Sequence, residues 1–169
     1  MAGLFTLLLA ERVDVKWVRP EGLHITLKFL GDVDAGRIGD IGRAIEAIAG
    51  VEKPLTLRLQ GFGGFPSLRS PRVLWIGMEG DTERLALLAA RIDQQMGSLG
   101  FPAEDRPFKP HLTIGRVRSA KGLSSVVETI QRNMPVFDPF TAGKIRIMKS
   151  DLKPAGAEYT VLQCIQLQG

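Results

Sequence analysis

The 169-residue chain is poor in the residues that usually betray a function: one cysteine, one tyrosine, two tryptophans and two histidines. A single thiol, Cys164, excludes an internal disulfide framework and fits a reducing compartment. Its apolar neighbours at alternate positions predict a small buried residue rather than a nucleophile. No apolar run approaches the roughly 18 residues of a membrane span. The apolar opening Gly3–Ala10 lacks a basic segment before it and a small-x-small cleavage pattern after it, so it does not read as a secretory signal. A cytoplasmic protein with no membrane association and no obligate protein partner is therefore expected. HExxH, a Cys/His cluster and a clustered carboxylate pair are all missing, so neither a metal nor another cofactor is expected.

The composition that remains is that of a globular domain, 44% apolar and 24% charged. Lysine and arginine number 22 against 18 acids, a net charge of +4. That bias tolerates polyanionic ligands but by itself describes an ordinary solvated surface. Residues 1–169 read as one domain with two lobes.

Apolar periodicity divides the chain into alternating elements. Ile38, Ile41, Ile45 and Ile48 mark a helix over 36–50, and Leu85, Leu88, Ile92, Met96 and Leu99 a second over 82–99, with Asp81 as its cap. A third is expected from Ser125, with Glu128 closing a capping box and Val127, Ile130 and Met134 facing inward. Strand-like runs fall at 15–18, 23–30, 55–60, 73–78, 111–116, 144–148 and 159–167, several with period-two alternation. The expected class is α+β, with small, mainly antiparallel sheets flanked by helices.

The two histidines stand in the same tetrapeptide pattern, His24-Ile25-Thr26-Leu27 and His111-Leu112-Thr113-Ile114. Threonine is 8 of 169 residues and apolar residues 44%, so both histidines matching by chance has a probability of about 10⁻⁴ on composition alone. In a strand, residues two apart share a face. Each copy thus presents an imidazole beside a hydroxyl, with the intervening apolar residues (Ile25, Leu27 and Phe29; Leu112 and Ile114) turned to the core. A duplicated motif points to two lobes about a pseudo-twofold axis, with four polar groups across one groove. Such a site suits phosphodiester chemistry. One imidazole serves as base while the other serves as acid, and the hydroxyls donate to phosphate oxygens.

At these residues the chain resembles the two-histidine (2H) phosphoesterases, and within them the RNA 2′,3′-cyclic phosphodiesterases, also called 2′-5′ RNA ligases. The likeness runs through Trp17-Val18-Arg19-Pro20-Glu21-Gly22-Leu23 into the first motif and on to Lys28-Phe29-Leu30-Gly31. It continues in Phe65-Pro66, Pro71-Arg72-Val73-Leu74-Trp75, Pro107-Phe108-Lys109-Pro110 with the second motif and Gly115-Arg116, and Ser150-Asp151-Leu152-Lys153-Pro154. The resemblance implies a bilobal α+β fold with a central active-site groove, acting on RNA ends or 2′,3′-cyclic nucleotides. It implies metal-independent hydrolysis of the cyclic phosphate to a 2′-phosphate, with His111 as general base and His24 as general acid. Thr26 and Thr113 would hold the phosphate, and Arg116 would pair with its oxygens. Relatives begin with a strand, a proline and a long helix, whereas the residues before Val15 read as a shortened strand or a short helix.

Two alternatives remain open on the sequence: 2′-5′ phosphodiesterase or ligase activity at the same site, or a nucleotide- or RNA-binding module without turnover. The glycine-rich run Gly61-Phe62-Gly63-Gly64-Phe65-Pro66 reads as a flexible connector, lacking the Gly-Lys-Ser/Thr of a phosphate loop. Trp75 reads as a core residue and Phe65 as either core or base-stacking. Lys28 reads as groove charge or solvated rim.

Overall fold

The structure, a computed structural model, describes residues 13–119, 121–153 and 156–169; the expectation for the extreme N-terminus lies outside them up to residue 12. Two compact units divide the chain, each assembled from three segments: those ending at Ile25, Arg58–Glu79 and His111–Pro139 in the first, and Thr26–Leu57, Gly80–Pro110 and Phe140–Gly169 in the second. The expected α+β class holds, with antiparallel strand pairs and three α-helices among the described residues.

The first unit is built on strands β1 (Val15–Trp17), β2 (Leu55–Phe65, from Arg58 onward), β3 (Val73–Gly80) and β4 (His111–Val117), in the spatial order β1-β4-β3-β2. Alternation along them sends Val15, Leu59, Leu74, Ile76, Leu112 and Ile114 to one face. Helix α3 (Leu123–Asn133) closes that face with Leu123, Val126 and Ile130, three and four apart, and Phe137 completes the core. Each of these side chains contributes about 1.5–3 kcal/mol relative to exposure. Helix α3 begins earlier than the capping-box reading placed it. Gly122, at φ 73°, turns the chain into the helix, and the Ser125 hydroxyl donates to the Gly122 carbonyl at 2.8 Å. The inward stripe is consequently Leu123, Val126 and Ile130, with Met134 packed against the same core; of the expected inward residues only Val127 departs, being half-buried.

The second unit packs helix α1 (Ile38–Ala49) against helix α2 (Thr82–Ser98) and against the hairpin of β6 (Lys144–Lys153) and β7 (Gly156–Gln166). Ile41, Ile45 and Ala49 of α1 meet Leu85, Leu88, Ile92 and Met96 of α2 in its core. The hairpin contributes Ile145 and Ile165, with Leu167 just beyond its end, so the outward positions between them stay wet. Cys164 is one of these and is exposed, contrary to the buried role expected from its neighbours. Asp81 stands at the α2 N-cap but does not cap it: its carboxylate takes the Thr56 N–H at 2.8 Å and Arg84 at 3.3 Å. The first residues of β2, Leu55–Leu57, pair here with β5 (Phe140–Ala142).

The stretch 23–30 is not the strand its alternation predicts. It touches a sheet at one residue, the isolated bridge of Ile25 to Leu112. Beyond that point local pattern loses to tertiary demand. Phe29 is 71% exposed, whereas the Lys28 side chain is only 4% exposed. The Lys28 ammonium donates to Asp93 and to the Pro102 carbonyl, each at 2.5 Å, with Glu104 at 3.8 Å. It is thus neither groove charge nor rim, but an anchor within the second unit. The duplicated motif consequently has one copy in a strand and one in a loop.

Lys28, by hydrogen-bonding the Asp93 carboxylate, holds its pKa below the ordinary value, outweighing partial burial; the Glu104 N–H assists. A carboxyl depressed in the folded state contributes stability above its unfolded pKa of about 3.9, and that contribution is lost as pH falls through the lower folded value. Asp93→Asn leaves a buried ammonium short of its partner and is expected to cost about 2 kcal/mol near neutrality. In urea titrations the difference from wild type should narrow below pH 4 or so, as wild-type Asp93 itself protonates.

Candidate active site

Strand β4 supports the second motif as period two requires. His111 and Thr113 lie half-buried on the face opposite the core, while Leu112 and Ile114 enter it. A β-bulge then changes the arithmetic. Leu74 pairs with Gly115 and Trp75 with Thr113, leaving Ile114 as the extra residue. Val73, on the same side of β3 as Trp75, pairs with Arg116. The bulge therefore returns Arg116, an odd number of positions from Thr113, to the His111–Thr113 face. Lys16 of β1 stands directly across from Arg116.

The first motif reaches the free edge of β4's far end by an excursion. Val18 N–H donates to the Ile114 carbonyl at 2.9 Å, after which the chain leaves the ladder. Pro20–Gly22 form a 3₁₀ turn, with Pro20 supplying its fixed φ at the first position. The chain then returns at Ile25 opposite Leu112, which in an antiparallel register sets His24 at the position facing Thr113. The His24 ring is fixed by the same turn: Nδ1–H donates to the Gly22 carbonyl at 2.7 Å. A carbonyl only accepts, so the hydrogen sits on Nδ1 and proton exchange falls to Nε2.

Aromatic residues shape the surroundings of His111. Phe65, at the end of β2, meets the imidazole edge-to-face with centroids 5.1 Å apart and an interplanar angle of 83°. Trp75 lies 6.1 Å from His111 and 5.3 Å from Phe65. Trp75 is thus on the site face, not in the core expected from sequence. The indole lies flat on Gly63, where a Cβ would come within 2.1 Å of it. The glycine-rich run is accordingly the end of β2 and not a flexible connector, since a side chain at Gly63 would evict Trp75. Trp75 Nε1 is buried with no acceptor among the described residues, a cost of about 1–3 kcal/mol set against the burial of the indole.

Of the five residues singled out by sequence, His24, His111, Thr113 and Arg116 fall in the first unit, three of them on β4 and His24 in register beside it. Thr26, half-buried, is the first residue of the second unit. Trp75 and Lys16 join the His111 face without being expected there from sequence, and Phe65, for which core and base-stacking roles are both open on sequence, stands against His111. The signal for Trp75 was available in its period-two relation to Val73, but its significance depends on the Gly63 contact, which sequence does not display. Among the described residues no group of three or more histidine, cysteine or carboxylate side chains gathers as a metal site would require, and no helix is long and apolar enough to cross a membrane.

A family model described as the 2′-5′ RNA ligase superfamily matches residues 9–154. A Methanothermobacter thermautotrophicus protein named RNA 2′,3′-cyclic phosphodiesterase is 34% identical over 155 residues, covering 90% of this chain and 83% of that one. A protein of the same name from Methanocaldococcus jannaschii is 36% identical over 150 residues, with 88% and 83% covered. Among solved structures, a Thermus thermophilus protein matches with a TM-score of 0.79 at 29% identity, covering 99% of this chain and 91% of that one. Escherichia coli LigT complexed with 3′-AMP matches at 0.71 and 25% identity, with 100% and 94% covered.

Proposed function

Because this chain belongs to the 2′-5′ RNA ligase superfamily, we propose that it hydrolyses 2′,3′-cyclic phosphate termini of RNA or nucleosides to 2′-phosphates, in the cytoplasm. Relatives aligned over about nine-tenths of this chain carry the name of a 2′,3′-cyclic phosphodiesterase of RNA. The observation that carries the reading to residues is the register of Ile25 on Leu112, which sets His24 beside the His111–Thr113–Arg116 face of β4.

His111 takes a proton from water as the oxygen attacks phosphorus. The P–O3′ bond breaks, the P–O2′ bond stays, and His24 delivers its Nε2 proton to the departing 3′-oxygen. The products are a 2′-phosphate and a 3′-hydroxyl, with one proton taken up and one released by the imidazole pair. General acid–base assistance of this kind is worth about 10²–10⁴-fold. Thr113 donates its hydroxyl to a non-bridging oxygen and Arg116 meets the growing negative charge with its fork of N–H groups; the family resemblance gives Thr26 the same task as Thr113. Phe65 and Trp75 limit the His111 ring to a narrow range of orientations.

The test is turnover of 2′,3′-cyclic AMP in excess EDTA, with products assigned by phosphorus NMR. A 2′-phosphate formed at the chelator-free rate is expected. A 3′-phosphate, a joined 2′-5′ product or loss of activity to the chelator would each overturn the scheme as written.

A further inference from the structure

Charge is divided unequally between the two units. The first holds ten basic and six acidic residues, the second twelve of each. The entire net charge of +4 therefore belongs to the unit that carries both histidines. In the second unit Lys28, Arg43, Arg84, Arg91 and Lys149 stand in ion pairs, whereas Arg37, Lys53, Lys144 and Arg146 have no carboxylate partner among the described residues, so what sets the first unit apart is where its unpaired cations stand. In the first, Arg58 and Arg132 are paired with Glu79 and Glu128, while Lys16, Arg116 and Arg118 have no carboxylate partner among the described residues. Three unpaired cations at adjoining register positions repel one another and are retained at a cost unless an anion meets them.

Their placement is ordered. β4 runs from His111 through Thr113 and the bulge to Arg116, with Lys16 across from Arg116. Arg118 continues the line: its N–H donates to the Asp14 carbonyl at 2.8 Å, keeping the register with the chain before β1. The exposed Asp14 side chain shares that position, and no ion pair joins it to Arg118. At a rise of about 3.3 Å per residue, the cations extend roughly 13 Å from Thr113 along one face. The phosphate under attack engages His111, Thr113 and Arg116, which leaves Lys16 and Arg118 beyond it.

We infer that Lys16 and Arg118 form a track for the sugar–phosphate chain of RNA upstream of the cyclic end, making the preferred substrate an oligonucleotide rather than a mononucleotide. This rests on the function proposed above and adds to it two residues that favour the RNA end over the mononucleotide. Phosphate contacts of this type are independent of base sequence and release counterions, so they leave a mark in salt dependence. A cyclic mononucleotide has no second phosphate to place on the track and is blind to it.

The experiment compares kcat/KM for 2′,3′-cyclic AMP and for a decaribonucleotide ending in a 2′,3′-cyclic phosphate, in wild type and in Lys16→Ala/Arg118→Ala. The decamer-to-mononucleotide ratio is expected to fall about tenfold in the double variant. The logarithmic salt slope for the decamer should become shallower by about 1.4, the value for two single-strand phosphate contacts. The charge-preserving Lys16→Arg/Arg118→Lys variant should keep both ratio and slope. A ratio unchanged within twofold in the alanine variant overturns the inference. If the wild type turns over neither substrate, the proposed function fails instead, and the track is read by anisotropy with a labelled decamer ending in a 2′-phosphate. Tenfold weaker binding by the alanine variant supports the track, and equal binding overturns it.

Discussion

His24→Ala and His111→Ala are each expected to lower kcat on a 2′,3′-cyclic nucleotide by about 10²–10⁴-fold, and the double variant to lose little beyond the worse single one. Acid and base act in one transition state, so removing either leaves the other with half a reaction to assist. The two single variants are distinguishable by pH. The base works deprotonated, so the rate climbs with pH through its titration; the acid works protonated, so the rate declines at higher pH. His111→Ala should flatten the acidic limb and His24→Ala the alkaline limb, with the wild-type limbs belonging to the pair as a whole. Initial rates across pH, with near-ultraviolet circular dichroism to show retained packing, provide the check. A change confined to a few-fold in both variants would remove these residues from the chemistry.

Thr113→Val is the second large effect. Valine keeps the branched shape and the strand preference of threonine, and Thr113 sits half-buried opposite Trp75 in the middle of an established pairing. The fold should therefore be unaffected while one donor to the phosphate disappears. Loss of a single preorganised donor to developing charge costs about 10²–10³-fold in kcat. Thr113→Ser retains the hydroxyl and is expected to recover most of the rate, so the contrast between valine and serine isolates the hydrogen bond from the packing. The measurement is kcat with saturating cyclic nucleotide, since a donor specific to the transition state leaves KM nearly unmoved.

Chemistry was more legible in this sequence than geometry. His111 and Thr113 could be placed on one face because period two is a local property of a strand, and β4 obeys it. Arg116 could not be placed that way. Its direction depends on a bulge defined by the partner strand, and only the resemblance to a family attached it to the phosphate. The first motif is visible as a motif but alternates like a strand without being one, because alternation in 23–30 carries no record of Lys28 being drawn to Asp93. Helix α3 shows the reverse error. A capping-box pattern at Ser125 and Glu128 is locally plausible, yet Gly122 starts the helix earlier, so Leu123 and Val126 join the inward stripe, Ile130 and Met134 face the core as expected, and Val127 is only half-buried. Glycine depletion from strands explains why Gly61–Gly64 read as a connector; the tryptophan that requires glycine there is contributed by another strand.

Each compact unit draws on three separated stretches of polypeptide, and those stretches alternate along the chain. No single cut can release either unit whole. Deletion mapping from one terminus will remove parts of both at once, so loss of activity in a truncated fragment says nothing about which unit catalyses. Assembly must also close long loops before most of the native neighbours can meet, which places this chain among slow folders for its size. Dissecting its two halves calls for point substitutions or a rearranged chain order, with fragments useful only in complementing sets.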